Sequence, residues 1–178
     1  MRASFYEGAG RFRTGSAIHG MIQSDFRRMA TWYRVQNFGK GLALTFENEL
    51  PIRKDLQGVA KDWDISSSCD GAFTFWRWGE DPADGTWCWI PYVRVGIEVK
   101  TSSAPQYEDR KKPEADHLEQ TCLYQATLDL PLMWVLYYNK SNSLFTTPYA
   151  PWLFKFDKDL WERELEVRFA RAHHHVET

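Results

Sequence analysis

The sequence predicts an α/β (α+β) chain, with residues 1–178 forming a single domain built on one central mixed β-sheet flanked by helices. Three observations predict it. Apolar residues recur at helical spacing over residues 11–36; apolar and polar residues alternate around 42–46 and again over 93–100; and a helical stretch at 113–128 is followed at once by the apolar run 132–139. The implied order is helix, three strands, helix, strands, helix.

Each element has a local reason. Phe12, Ile18, Ile22, Phe26, Met29 and Tyr33 fall at spacings of three, four and six with no proline between them, and Asn37 and Gly39 supply the stop. Leu42, Leu44 and Phe46 alternate with smaller or polar residues toward Glu49 and Pro51, as in a strand with one buried face. Residues 54–61 are polar and turn-like. Residues 65–78 read as a second strand, in which Gly71 marks a bulge or a close backbone approach. The breaker-rich run from Gly79 to Gly85 predicts a hairpin turn. The third strand, 86–100, ends with Val93, Val95, Ile97 and Val99 on one face and Arg94, Glu98 and Lys100 on the other. After a polar loop at 102–112, Pro113 suits the first turn of a second helix, and Glu114 and Asp116 suit its positive end. Residues 132–139 form an apolar strand, Ser141 and Asn142 turn into another, 148–151 is a loop, and 157–172 is an amphipathic closing helix.

Bulk properties bound the function. A net charge of −2 excludes a histone-like binder held by charge alone, so a nucleic-acid partner would have to be met by local basic patches and metal ions. Such patches exist at Arg2, Arg11 and Arg13, at Arg27 and Arg28, and at Arg110, Lys111 and Lys112; each is by default a solvated face. The aromatic content of 16%, with nine tryptophans, is high, and the rings either pack sheet against helix or stand exposed to stack on bases or sugars. Three cysteines without a CxxC pair indicate neither a disulfide framework nor a zinc or iron–sulfur site; they read as buried thiols in a reducing compartment. No apolar run reaches transmembrane length and no signal-peptide stretch opens the sequence, so the expectation is a cytoplasmic protein, or one acting in a host's cytoplasm. The run His173–His174–His175 is a weak metal binder or a solvated tail.

The chemistry concentrates on Asp70 and on Glu98 with Lys100. Residues two apart on a strand share a face, so Glu98 and Lys100 point together, and the hairpin can bring Asp70 opposite Glu98. Two carboxylates at a sheet are the oxygen ligands that Mg²⁺ or Mn²⁺ prefers. A lysine beside them can orient an attacking water and balance charge on a phosphate. On the following helix His117, Gln120 and Tyr124 share one face, a polar stripe that packing alone explains poorly. His19 stands among small and apolar residues of the first helix, where a satisfied structural histidine is the ordinary reading.

In this order, His19 after Gly15, then Asp70–Gly71, then Gly96-Ile97-Glu98-Val99-Lys100-Thr101, then Gln120-x-x-x-Tyr124, the motifs resemble the RecB-like branch of the PD-(D/E)XK nucleases. The resemblance spans roughly residues 19–124. It implies a restriction-endonuclease-like core, with Asp70 and Glu98 as the main metal ligands and His19 and the Val99 carbonyl as further ligands. It implies a water-positioning Lys100, and a Gln120 and Tyr124 that steady the site and the scissile phosphate. The cofactor would be Mg²⁺ or Mn²⁺ and the substrate DNA, with Arg110, Lys111 and Lys112 tracking its backbone. Glu47 and Glu49 stay outside the ligand set. Members with an iron–sulfur cluster carry four cysteines, which this chain lacks, and the absence of a GKT or GKS loop would leave any ATP-driven motor to a separate protein. The chain most resembles the minimal stand-alone nucleases of phages, mobile elements and organelle DNA maintenance, with a separate recombination or replication protein as a further partner. An exonuclease acting on ends or single strands is the leading expectation. A structure-specific or nicking endonuclease, a non-catalytic DNA- or protein-binding module and a tryptophan-rich sugar-binding domain are the alternatives, and the oligomeric state stays open.

Overall fold

The opening helix is longer than its periodicity predicts. In the computed structural model, which describes residues 3–52, 67–102, 112–140, 144–145, 152–168 and 171, α1 runs Ala3–Asn37. Gly8 and Gly10 weaken a helix without stopping it, and no proline intervenes. Ile22 and Ala30 are buried against the sheet with Ile18, Phe26 and Tyr33 beside them, whereas Met29 is 41% exposed, so Ala30 takes the core position that Met29 was expected to fill.

Three antiparallel strands follow, β1 Leu42–Ile52, β2 Ser67–Glu80 and β3 Trp87–Ser102. Helix α2, Ala115–Leu128, then crosses over to β4, Leu132–Asn139, which lies parallel to β3. A parallel neighbour demands such a crossover, and the helix buries its apolar face on the sheet it has just left. β5, Leu144–Phe145, and β6, Trp152–Lys155, both pair antiparallel with β4. The result is an α+β fold with a six-stranded mixed sheet in the order β1-β2-β3-β4-β5, β6 also pairing β4. The closing helix begins as α3, Lys158–Leu160, and becomes a π-helical segment over Trp161–Leu165; Asp157 caps it, accepting from the Leu160 N–H at 2.9 Å. No helix among the described residues is long and apolar enough to cross a membrane.

Two apolar layers hold the sheet. α1 packs on Leu44, Phe73, Ile97, Val99 and Leu136. On α2, Leu123, Tyr124 and Leu128 pack with Ala72 and Met133, joined by Trp161 and Leu165 of the closing helix. Both faces of β3 are therefore covered near its end, and Glu98, expected on a polar face, is buried at 5% exposure.

Boundaries differ from expectation where a breaker sits inside or just outside an element. Gly79 belongs to β2, paired with Cys88, and the turn itself is tighter: Asp81 N–H donates to Thr86 O, Gly85 adopts φ +76, and Asp84 accepts from the Thr86 N–H and hydroxyl. Pro113 is buried ahead of α2 rather than inside it, with Glu114 extended at the N-cap position. The predicted turns at 54–61 and 141–142, the loop at 148–151 and the far end of the closing helix lie outside the described residues, as do Arg110, Lys111 and His173–His175.

Gly71 is a close approach rather than a bulge. A Cβ there would stand 2.5 Å from the Phe46 ring and 2.7 Å from the Glu47 carbonyl oxygen. The ring can shift but the main chain of β1 cannot without breaking its ladder. Gly71→Ala is expected to cost roughly 1–3 kcal/mol, read as a melting temperature several degrees lower; an unchanged melting curve would show that β1 yields freely at this point.

Candidate active site

The β2–β3 ladder runs from Glu80↔Trp87 to Gly71↔Ile97, while β2 stays paired with β1 as far as Ile52↔Ser67. Past Gly71, then, β2 follows β1 and leaves β3. Asp70 stands at this parting, one residue beyond the last β2–β3 pair, with its Oδ2 accepting the Val99 N–H at 2.7 Å. Cys69 donates its thiol hydrogen toward Ile97 O at 3.1 Å and Gly71 O at 3.3 Å. Side chains of β2 thus take over the edge of β3 that its backbone gives up. Extended backbone points the N–H and C=O of one residue to the same strand edge, so the Val99 carbonyl also faces Asp70.

Helix α1 holds Asp70 from one side. His19 Nδ1–H donates to Asp70 Oδ1 at 2.9 Å, and one turn on, the buried Gln23 donates from Nε2 to the Asp70 main-chain oxygen at 3.0 Å. The Asp70 hydrogen bond, opposed in part by burial, raises the His19 pKa and favours the imidazolium. Sequence reasoning omits Gln23; its i,i+4 spacing from His19 is the signal that points to it.

Helix α2 holds the other side. Lys100 Nζ donates to Glu98 Oε1 at 2.8 Å and to Gln120 Oε1 at 2.5 Å. Gln120 Nε2 donates to the Tyr124 hydroxyl oxygen at 2.7 Å, and Tyr124 passes its own hydrogen to Ser68 O at 2.9 Å while accepting from Ser67 Oγ. A chain of hydrogen bonds therefore links β3, α2 and the start of β2. Tyr124 is only 1% exposed, and burial pushes its phenol up to about 12, so it stays a protonated donor facing the protein. Its hydroxyl oxygen is shared among Gln120, Ser68 and Ser67. His117 lies elsewhere on the helix, its Nδ1 2.7 Å from the Tyr137 hydroxyl. Glu47 pairs with Arg94 at 3.3 Å, and Glu49 is exposed. Lys112 is exposed at the foot of α2.

Glu98 is the strained member. Its carboxylate is buried, Oε1 meets Lys100, and Oε2 has no hydrogen-bond partner. Burial and the neighbouring Asp70 charge together outweigh Lys100 and raise its pKa to about 7. His19, Asp70, Glu98 and the Val99 carbonyl form a donor set rich in oxygen, of the type that Mg²⁺ or Mn²⁺ accepts. Among the described residues, the acidic or histidine side chains whose ligand atoms all come within 4.8 Å of one another are a different group, Glu114, Asp116 and His117, at the start of α2.

The thiols take no part in this chemistry. Burial pushes Cys69 up to about 12 and Cys122 up to about 11, whereas Cys88 is half-buried on β3. No known protein family matches the chain, and no curated protein sequence matches it.

The metal-free protein is expected to lose stability as pH rises. Glu98 holds its proton more tightly folded (about 7) than unfolded (ordinary value 4.5), so the folded state binds the extra proton and its advantage disappears between those values. His19, also raised, acts with the same sign. In EDTA, Glu98→Gln should melt above wild type near pH 7.5, with the gap closing toward pH 4.5; a constant gap across that range would rule out the buried carboxylate as its source.

Proposed function

We propose that the chain is a divalent-metal-dependent nuclease hydrolysing DNA phosphodiester bonds, on a restriction-endonuclease-like form of this α+β sheet. The observation that carries the reading is Glu98: a buried carboxylate with one unpartnered oxygen, beside Asp70 and Lys100, at the parting of two strands. Such a group is costly unless something positive binds it, and stability given up at one point is the usual mark of a working site. The fit to Mg²⁺ or Mn²⁺ rests on that oxygen and on the donor set around it. Asp70 and Glu98, whose carboxylates now meet His19 and Lys100, would be the residues to hold such an ion. When bound, the ion supplies Lewis-acid polarisation of a phosphoryl oxygen and a more acidic water.

The chain's own residues do the rest. Asp70, Glu98 and the Val99 carbonyl would hold the ion. His19 joins as a ligand or keeps Asp70 in place. Lys100 has three N–H groups, two of them directed at Glu98 and Gln120, and the third is available to orient the attacking water. Gln120 fixes the Lys100 ammonium, and Tyr124 fixes Gln120. The basic stretch of Arg110, Lys111 and Lys112 tracks the DNA backbone.

Cleavage of DNA should require Mg²⁺ or Mn²⁺ and stop in EDTA. Asp70→Asn and Glu98→Gln should abolish it with loss of Mn²⁺ binding, and Lys100→Ala should lower kcat by about 10²–10³-fold with Mn²⁺ binding retained. His19→Ala should weaken Mn²⁺ affinity, and Gln120→Ala and Tyr124→Phe should reduce turnover by smaller factors. Full activity in both Glu98→Gln and Lys100→Ala would refute the site.

The reaction is expected to need an end, because a compact domain offers little surface for reading a duplex. Linear single strands should be digested progressively and covalently closed single-stranded circles should resist. Rapid cutting of circles would replace the exonuclease by an endonuclease.

A further inference from the structure

At the opposite end of β3 from Glu98 stands a row of rings that neither apolar layer uses. The Phe38 and Trp89 centroids are 5.3 Å apart with planes tilted by 37°, and Trp78 meets Trp89 edge-on at 5.6 Å. Phe38 is 58% and Trp78 46% exposed. Phe38, Trp76 and Trp89, over Ala43 and Thr45, line an open slot of about 250 Å³ with Arg34 in its wall. The slot lies on the sheet face opposite α1, because Leu44 and Phe46 on alternate positions pack against that helix. The Trp76 Nε1–H is spent on Thr45 Oγ1 at 2.9 Å, so Trp76 has no indole N–H left to donate to a ligand. Arg34 and Lys40, the latter in the same 3₁₀ turn as Phe38 (Phe38–Lys40), are exposed and have no carboxylate within ion-pair distance among the described residues.

Adjacent flat rings with unpaired cations beside them match a ligand that alternates flat rings with anions. A single nucleic-acid strand is such a ligand, since an unpaired base offers its face and carries a phosphate next to it, whereas a duplex hides those faces within its own stack. We propose that this slot docks a single-stranded segment of the nucleic-acid substrate, a base stacking on the Phe38–Trp89 wall with its phosphate at Arg34. The choice of DNA rests on the nuclease reading; the stacking chemistry does not. Glu80, Asp81 and Asp84 in the hairpin beyond Trp78 bound the site on the side of like charge. Along β3 the slot lies about 30 Å from Glu98, at roughly 3.3 Å per residue. It therefore anchors a long strand at a distance from the bond being cut.

The test is binding of end-labelled oligothymidine by fluorescence anisotropy in EDTA. One oligomer has about 20 nucleotides, enough to span 30 Å even at roughly 3.4 Å per nucleotide, and the other about 4, too few to reach both sites. Trp89→Ala and Phe38→Ala should weaken binding of the long oligomer about ten-fold, and Arg34→Glu, at an exposed position, should weaken it while leaving the core untouched; a blunt duplex should bind all forms alike. With Mn²⁺ present, the same variants should raise KM for the long oligomer alone and leave kcat intact. Wild-type affinity in Arg34→Glu and Trp89→Ala overturns the proposal, as does a change in elution volume of Trp89→Ala with DNA binding untouched, which would make the slot a contact between copies of the chain. If wild type binds through the slot yet cuts nothing, the nuclease reading fails and the docking site stands; if it cuts while the variants bind normally, the docking site fails alone.

Discussion

The β2–β3 ladder stops at Gly71↔Ile97, and the Val99 N–H is taken by the Asp70 carboxylate. That substitution of a side chain for a strand organises everything around it. A buried N–H must be satisfied, so Asp70 is held in one orientation with its charge next to the buried Glu98. Two carboxylates in so dry a place repel, and burial together with the Asp70 charge raises the Glu98 pKa to about 7, while Lys100 and His19 supply positive charge from opposite sides. A fully paired β2 would give a quieter sheet and no cluster of charges.

The two helices turn that cluster into a fixed geometry. α1 grips Asp70 twice, at its carboxylate through His19 and at its main chain through Gln23, so a slide of the helix by one residue would lose both contacts. α2 is tethered at both ends by β3 and β4, the two central parallel strands, and carries the Gln120–Tyr124 pair that ties Lys100 back to Ser68. Main chain and side chains therefore cross-brace the place where the sheet is weakest. The resulting site is stiff on its protein side and under-satisfied on the side where Glu98 Oε2 lies.

Much of the fold was legible because period and punctuation agree: Leu42, Leu44 and Phe46 alternate, the apolar run 132–139 stands alone, and Leu128 ends its helix just before Asp129 in a left-handed conformation. Glycine and proline mark boundaries less sharply than their intrinsic preferences imply, since Gly79 sits comfortably in a strand and Pro113 ahead of a cap. At the site, the alternation through Glu98 and Lys100 and the i,i+4 spacing of Gln120 and Tyr124 carried real geometric information, and the structure brings all four together with Asp70 and His19. Burial was not legible. Alternation tells which residues share a face, not whether a helix will cover that face, so the sealed position of Tyr124 and the cost of Glu98 emerged only once α2 was in place. Gln23 shows the same limit: its i,i+4 spacing from His19 marks a shared helix face, but its partner is a main-chain oxygen, which no residue type announces.

One further consequence follows from the unequal fates of the three thiols. Cys69 is enclosed and hydrogen-bonded in the gap between strands, and Cys122 is buried under the closing helix, its thiol directed at the Asp157 carbonyl. Both stay protonated and out of reach of reagents. Cys88, half-buried and paired across from Gly79, is the thiol that solvent can meet, and it neighbours Trp87 and Trp89 in sequence. A maleimide dye or spin label would therefore attach there in the unmodified chain, on the opposite sheet face from its neighbours Trp87 and Trp89 and a strand's length from the carboxylates, turning the protein into its own reporter of changes along β3.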